Sequence, residues 1–150
     1  WPTYLLCTSA ILLGSVLTNE ATGITAFLNT VLSPVFAGIS GGMFTIVLLL
    51  FAIVLTNICN SLVIGMILQP VVLTYCVNTG VNPAPIITLL IFTVLLTAAC
   101  TPAASPFAAM MFGNKEYLTS GDVYKYSTVF VVIEFIVIII VGIPFINLLV

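Results

Sequence analysis

Histidine and arginine are both absent from the 150 residues of this chain, and charged side chains make up only 4% of it. A soluble domain carries about 25% charged residues, so the composition excludes a soluble globular protein. Without histidine, the chain cannot build a histidine-based acid–base or metal site. The net charge of −2 is too small to indicate a nucleic-acid partner. With 62% hydrophobic residues, the chain has the composition of an integral membrane protein.

Enzyme motifs are missing as well. The sequence contains no His-Glu-x-x-His, no Gly-x-Ser-x-Gly and no phosphate-binding glycine loop ending in lysine. The four cysteines lie at positions 7, 59, 76 and 100, and no two of them have the Cys-x-x-Cys spacing of a metal or redox site. We therefore predict that the protein is not an enzyme and that it uses no cofactor apart from a coupling ion.

Two apolar runs separated by a polar cluster are the most informative feature of the chain. The runs cover residues 44–55 and 62–75, and the polar cluster covers residues 56–61. Both runs are shorter than the about 20 apolar residues that a spanning helix needs, so they predict a re-entrant hairpin over residues 43–77. Irregular backbone inside a membrane is tolerated only where it contacts protein or a water-filled cavity. The tip of the hairpin is therefore predicted to line a solute cavity.

A second interruption is predicted within residues 84–112. Pro102 and Pro106 cannot both lie inside one uninterrupted helix, because proline lacks the backbone N–H and restricts the residue before it. The pattern predicts a discontinuous membrane helix that breaks near residues 100–106. Transport sites in membranes are typically built from a pair of interrupted helices, so the hairpin tip and this break are expected to form one site.

The remaining segments complete a single membrane domain over residues 1–150. We predict scaffold-type helices in residues 1–39, a charged loop at 113–126 and a last transmembrane helix at 127–150. The loop holds both lysines, which by the positive-inside tendency places it in the cytosol and the C-terminus outside the plasma membrane. The chain starts without methionine and has room for about five or six membrane elements, so we expect it to be part of a larger transporter.

The order of these features resembles the C-terminal half of the divalent anion:sodium symporter family, within the ion-transporter superfamily. Residues 55–62 align without gaps to the second hairpin of that family, with Asn60-Ser61-Leu62 on its Ser-Asn-Thr tip. Residues 102–113 align to its Pro-x-Ala-Thr-Pro-Pro-Asn-Ala-x-x-Phe-Gly turn. The resemblance implies an all-α membrane fold, one of two inverted repeats, an elevator-type mechanism and a homodimer. The N-terminal repeat of the same protein would supply the other half of the site.

The candidate ligands lie at the two interruptions. Amide, hydroxyl and carbonyl oxygens suit a small hard cation, whereas helix N-termini suit an anion. The hypothesis assigns cation binding to Asn57, Cys59, Asn60, Thr101, Ala103 and Ser105. It assigns anion binding to Asn60, Ser61, Ser105 and Pro106. Leu62, Phe107 and Ala108 stand where the family has Thr, Pro and Asn, which removes side-chain ligands and leaves backbone ligands.

The sequence thus predicts a secondary active transporter of a small anion, a di- or other carboxylate, coupled to a sodium or proton gradient. One alternative is a cation/proton antiporter or anion exporter of the same superfamily, for which Glu134 offers an intramembrane carboxylate. Counted from residue 127, Glu134 would lie about 12 Å into its helix, near the interface. The other alternative is a non-transporting membrane scaffold or sensor derived from a transporter, which the replaced motif residues motivate.

Overall fold

The computed structural model describes residues 41–149 continuously, and before them residues 4–5, 8–9, 12, 15–16, 19–23, 26–27, 30–31 and 39. The described part is predominantly helical and holds no strand, so the predicted all-α fold class is confirmed. The scaffold helices predicted for residues 1–39 fall largely outside the described residues, apart from a 3₁₀ turn at Glu20–Thr22. The final residue of the predicted last helix, Val150, also lies outside them.

Six helices follow one another from residue 41 onward. They are α1 (Gly41–Ile58), α2 (Ser61–Thr79), α3 (Pro83–Leu96), α4 (Pro106–Gly113), α5 (Ser120–Val137) and α6 (Ile143–Leu149), with a π-helical turn at Ile138–Gly142 between the last two. The helices α1 and α2 correspond to the predicted hairpin, and α3 and α4 to the two halves of the predicted broken helix.

Local sequence sets the start of four of these helices. In α2, α3, α4 and α5 the residue before the helix accepts a first-turn backbone N–H with its side chain, which satisfies a donor that has no partner inside the helix. These capping residues are Asn60, Asn82, Ser105 and Thr119. Gly80 ends α2 with a φ of 70°, a left-handed conformation that glycine adopts without strain.

The prediction that both hairpin arms are too short to cross a membrane is wrong, because each helix is longer than its apolar run. The helices α1 and α2 have 18 and 19 residues, and both are long and apolar enough to be candidate spans. They exceed the apolar runs because helix continues through flanking polar and glycine residues such as Gly42, Asn57 and Asn78. At 1.5 Å per residue each arm is about 27–29 Å long, so length does not distinguish a re-entrant hairpin from a spanning one.

The last helix also begins earlier than residue 127. Thr119 Oγ1 accepts the backbone N–H of Asp122 at 3.2 Å and donates to the Asp122 carboxylate at 2.5 Å, which starts α5 at Ser120. Counted from Ser120, Glu134 lies about 21 Å along the helix at 1.5 Å per residue. Its position near the interface stays a prediction, because the residues added at the start of α5 include the charged Asp122 and Lys125.

The π-helical turn precedes Pro144. Because proline has no N–H and its ring crowds the carbonyl four residues earlier, the α-helical ladder is interrupted there. The N–H of Ile143 instead donates to the carbonyl of Ile138.

The helix α3 lies at the centre of the bundle and packs against α1, α2, α5 and α6. The core between these helices includes side chains that are completely buried, among them Phe44, Leu48, Leu68, Val72 and Leu90. Because α1 and α3 both end near the hairpin tip, this core fixes the tip and the break of the broken helix against each other.

Candidate functional site

The two predicted interruptions are joined by backbone contacts. The N–H of Ser61 donates to the carbonyl of Ala104 with an N···O distance of 2.9 Å. Nearby, Thr101 Oγ1 donates to the carbonyl of Asn57 at 2.6 Å. Residues some forty positions apart in sequence thus meet, and the hairpin tip and the break form one junction, defined here as residues 57–61 and 97–105.

Asn57 makes more of these contacts than any other side chain of the junction. Its Nδ2 donates to the carbonyl of Ile53 at 2.9 Å and to the carbonyl of Thr97 at 3.0 Å. Its Oδ1 accepts the N–H of Cys100 at 2.8 Å. These partners fix the orientation of the amide, because carbonyls can only accept and the backbone N–H can only donate. Both amide donors are used, and one oxygen lone pair remains.

The other predicted side-chain ligands are also engaged in holding the backbone. Ser105 Oγ donates to the carbonyl of Ala98 at 2.7 Å and accepts the N–H of Ala108 at 3.1 Å. Asn60 Oδ1 accepts the N–H of Leu62 at 3.0 Å. These bonds are helix caps, so the polar residue types of both interruptions are explained in the first place by the local backbone.

The remaining predicted residues differ in accessibility. Ser61 is buried, with 3% of its surface exposed, and Pro106 is half-buried. Cys59 and Ala103 are exposed. A role in ion binding for Ala103 can involve only its backbone, because its side chain is a methyl group.

Two features of the junction suit an anion: the helix N-termini that meet there and the backbone N–H groups that have no acceptor. The helices α2 and α4 both begin there, so the positive ends of two helix dipoles meet at one place. In each first turn one N–H has no acceptor within the described part of the chain, namely that of Val63 and that of Phe107. Proline at position 106 contributes no donor of its own and leaves the next N–H available.

Two buried hydroxyl groups without partners flank the junction, and neither belongs to the site residues predicted from the sequence. Thr56 on α1 and Thr93 on α3 are completely buried, and neither Oγ1 has a hydrogen-bond partner. Elsewhere in these helices Thr45 and Thr97 donate to the carbonyl four residues earlier, at 3.1 and 2.7 Å. A buried hydroxyl without a partner is costly, so these two oxygens are candidates for contact with a bound ion. The sequence could have indicated Thr56, because it is the first residue of the polar cluster at the hairpin tip.

Glu134 is a separate candidate. Its Oε2 is buried and has no hydrogen-bond partner, although the residue as a whole is half-buried. No hydrogen bond joins Glu134 to the junction within residues 41–149. A contact of 4.0 Å joins Thr128 Oγ1 of α5 to Cys100 Sγ at the break.

Two cavities lie away from the junction. One of about 430 Å³ is at the start of α1 and α3, lined among others by Gly41, Asn82 and Asn147. The other, of about 440 Å³, lies beside the start of α5, where Met111 and Asp122 line it. Neither lining includes a residue of the junction. The helix ends that converge on the junction and the unpaired polar groups that flank it make it the stronger candidate.

Helices long enough to span a membrane, combined with a helix–helix turn and a helix break that meet, are typical of secondary transporters. Residues 1–150 match the family model described as the sodium:sulfate symporter transmembrane region, and the chain belongs to this family. The resemblance to divalent anion:sodium symporters is thereby confirmed, and the chain is an integral membrane part of a sodium-coupled anion transporter. No curated protein and no solved structure matches the chain.

Proposed function

We propose that the junction is one half of the transport site of a symporter that moves a di- or other carboxylate together with sodium. The observation that carries this proposal is the backbone bond between Ser61 and Ala104, which brings two helix breaks and two helix N-termini to one place. The N-terminal repeat of the same protein completes the site, and the protein works as a homodimer in the plasma membrane. The connection around residues 114–119 faces the cytosol, with the C-terminus outside.

The anion is bound without a cationic side chain from this chain. Arginine is absent, and both lysines belong to the α4–α5 connection and the first turns of α5. The positive charge comes from the N-termini of α2 and α4, where first-turn N–H groups point at the ligand. Asn60, Ser61, Ser105 and Pro106 shape these two turns, and the free N–H groups of the following residues complete the donors.

Sodium is bound by oxygen atoms around the same junction. Thr101 and Ser105 use their hydroxyl hydrogens on protein carbonyls, so their oxygen lone pairs face the cation. Cys59, Asn60 and Ala103 contribute backbone carbonyls. The unpaired Thr56 and Thr93 hydroxyls are added to this set as candidates, because contact with a cation would remove the cost of leaving a buried oxygen without a partner. During transport the hairpin and the broken helix move together as an elevator.

The test is uptake of labelled sulfate and of a panel of carboxylates by the full-length protein in proteoliposomes, with and without an inward sodium gradient. Sodium-dependent uptake of a carboxylate is the expected result. Sodium-dependent uptake of sulfate alone would reject the carboxylate proposal and retain the family function. No uptake of any anion by correctly folded protein would favour the non-transporting scaffold.

A second candidate function is a cation/proton antiporter. It is favoured by the place of Glu134 within an apolar candidate span and by its buried Oε2 without a partner, since intramembrane carboxylates often carry protons. The test replaces Glu134→Gln and records uptake and lumenal pH together. Unchanged sodium-dependent uptake supports the symporter, whereas loss of proton movement coupled to transport supports the antiporter.

A further inference from the structure

We infer that Asn57 is a positioning residue of the transport site, which holds the hairpin tip on the break of the broken helix, rather than a ligand of the ion. This inference rests on the proposed function. Its basis is the set of four hydrogen bonds that cross the junction, of which three involve Asn57 and the fourth joins Ser61 to Ala104.

The Asn57 amide ends α3 from outside that helix. Thr97 follows the last helical residue, Leu96, and its carbonyl accepts from Asn57 Nδ2. A helix end leaves carbonyls without partners, which must be satisfied by side chains, water or ligands. Cys100, in the turns of the break, donates its N–H to the same side chain. One amide therefore fixes both the point where α3 stops and the path of the chain that follows.

The same residue fixes the hairpin. Its own carbonyl accepts from Thr101 Oγ1, and its Nδ2 also bonds to Ile53 one turn earlier in α1. Because these bonds tie α1 to the break, the starts of α2 and α4 keep one relative position. A tip held in this way does not open as a separate gate, and the anion site stays assembled while the hairpin and the broken helix move.

The hydrogen bonds of Asn57 favour this role over ion binding. Both donors of the amide are used on protein carbonyls, and one lone pair of Oδ1 accepts the N–H of Cys100. The second lone pair of Oδ1 is the one place where the side chain could contact a cation, and a charge substitution tests it. An aspartate at position 57 keeps the acceptor for Cys100 but loses both donors and places a negative charge against two carbonyl oxygens. A direct ligand would respond differently, since a carboxylate attracts sodium more strongly than an amide does.

The experiment compares Asn57→Asp with Asn82→Asp in the full-length protein in proteoliposomes. Asn82 is the matched control, because its Oδ1 makes one local bond to the N–H of Ala84 and lies outside the junction. For each variant the half-saturating concentrations of sodium and of the transported anion are measured, together with the unfolding temperature in detergent. The unchanged protein is measured in parallel.

For Asn57→Asp the half-saturating concentrations of both sodium and the anion should rise by about tenfold, the scale expected for lost buried hydrogen bonds. The control should change neither. A lower half-saturating sodium concentration, or a change confined to sodium, would overturn the inference and make Asn57 an ion ligand. Should Asn57→Asp fail to fold, Thr101→Val and Thr101→Ser test the same junction through the half-saturating concentration of the anion at saturating sodium. This readout is used because Thr101 Oγ1 is also a proposed sodium ligand, and of the two variants only serine keeps the bond to the Asn57 carbonyl. In that pair, an identical loss of affinity in both variants would contradict the positioning role.

Failure of the proposed function and failure of this inference give different results. If the protein without substitutions shows no sodium-dependent uptake, the proposed function is overturned and this inference with it. If the protein without substitutions does show this uptake, and Asn57→Asp has an unaltered anion affinity, the inference alone is overturned.

Discussion

The helices α1 and α2 are less apolar than α5 but more deeply enclosed, which is the opposite of the pattern in a soluble protein. The span containing α5 has the highest mean hydropathy, 3.1, yet only 11% of it is buried inside the described structure. The helices α1 and α2 have mean hydropathies of 2.3 and 1.7, and 39% of each is buried. In a soluble protein the most apolar helix is the one most enclosed. Here the enclosed helices carry the polar groups, because they build the junction, and the most apolar helix presents its surface to lipid or to other parts of the protein.

The largest effect expected from this comparison is a difference in unfolding free energy between alanine substitutions of two isoleucines, one on α2 and one on α5. Ile64 on α2 is 4% exposed, and Ile133 on α5 is 54% exposed. Ile64→Ala should lower the free energy of unfolding by about 2–5 kcal/mol, because it leaves a cavity in a packed core. Ile133→Ala should cost about 1 kcal/mol or less, the range of exposed sites. Unfolding of both variants in detergent measures the difference, and equal losses would mean that α5 packs against a partner as tightly as α2 does.

The next largest effect is the loss of stability when a helix cap is removed, which should be greater at the junction than outside it. Ser105→Ala removes the cap of α4 and leaves the buried carbonyl of Ala98 without its donor, so a loss of about 2 kcal/mol is expected. Thr119→Ala removes the exposed cap of α5 and should cost about 0.5–1 kcal/mol.

The measurement for the two caps is the free energy of unfolding, with sodium affinity recorded alongside it. Only Ser105→Ala should weaken sodium binding as well. A Thr119→Ala variant with an equal loss of sodium affinity would show that the caps act through overall stability and not through the junction.

The sequence predicts the helices of this fold better than their ends. The break between α3 and α4 was predicted because Pro102 and Pro106 act locally, whatever the rest of the chain does. A count of apolar residues makes the hairpin arms too short, because α2 continues through polar residues such as Asn78 until Gly80 ends it. The early start of α5 was missed although Thr119 and Asp122 have the spacing of a local cap.

The junction itself was predictable only in outline. The pairing of two interrupted helices followed from how membrane sites are built. The particular partners of Asn57 were not predictable, since bonds to Thr97 and Cys100 depend on the packing of α1 against α3. For the same reason the sequence could not show that Asn57 and Ser105 are occupied by backbone groups while Thr56 and Thr93 have no partner.

The smallest change in stability, and the sharpest test of the junction, is expected for Thr56→Val. Its hydroxyl is buried and unpaired, so replacing it with a methyl group should alter the unfolding free energy by less than about 1 kcal/mol without sodium and can even raise it. Sodium at about 100 times its Kd should stabilise the unchanged protein by about 2.7 kcal/mol, and Thr56→Val should lose most of this gain. Thr88→Val is the matched control on α3, because the Thr88 hydroxyl is already bonded to the carbonyl of Ala84 at 2.8 Å. Thermal unfolding in sodium and in potassium measures both quantities. If Thr56→Val keeps the full sodium-dependent gain, its hydroxyl is not a ligand, and the cation is held by the backbone carbonyls of the junction without it.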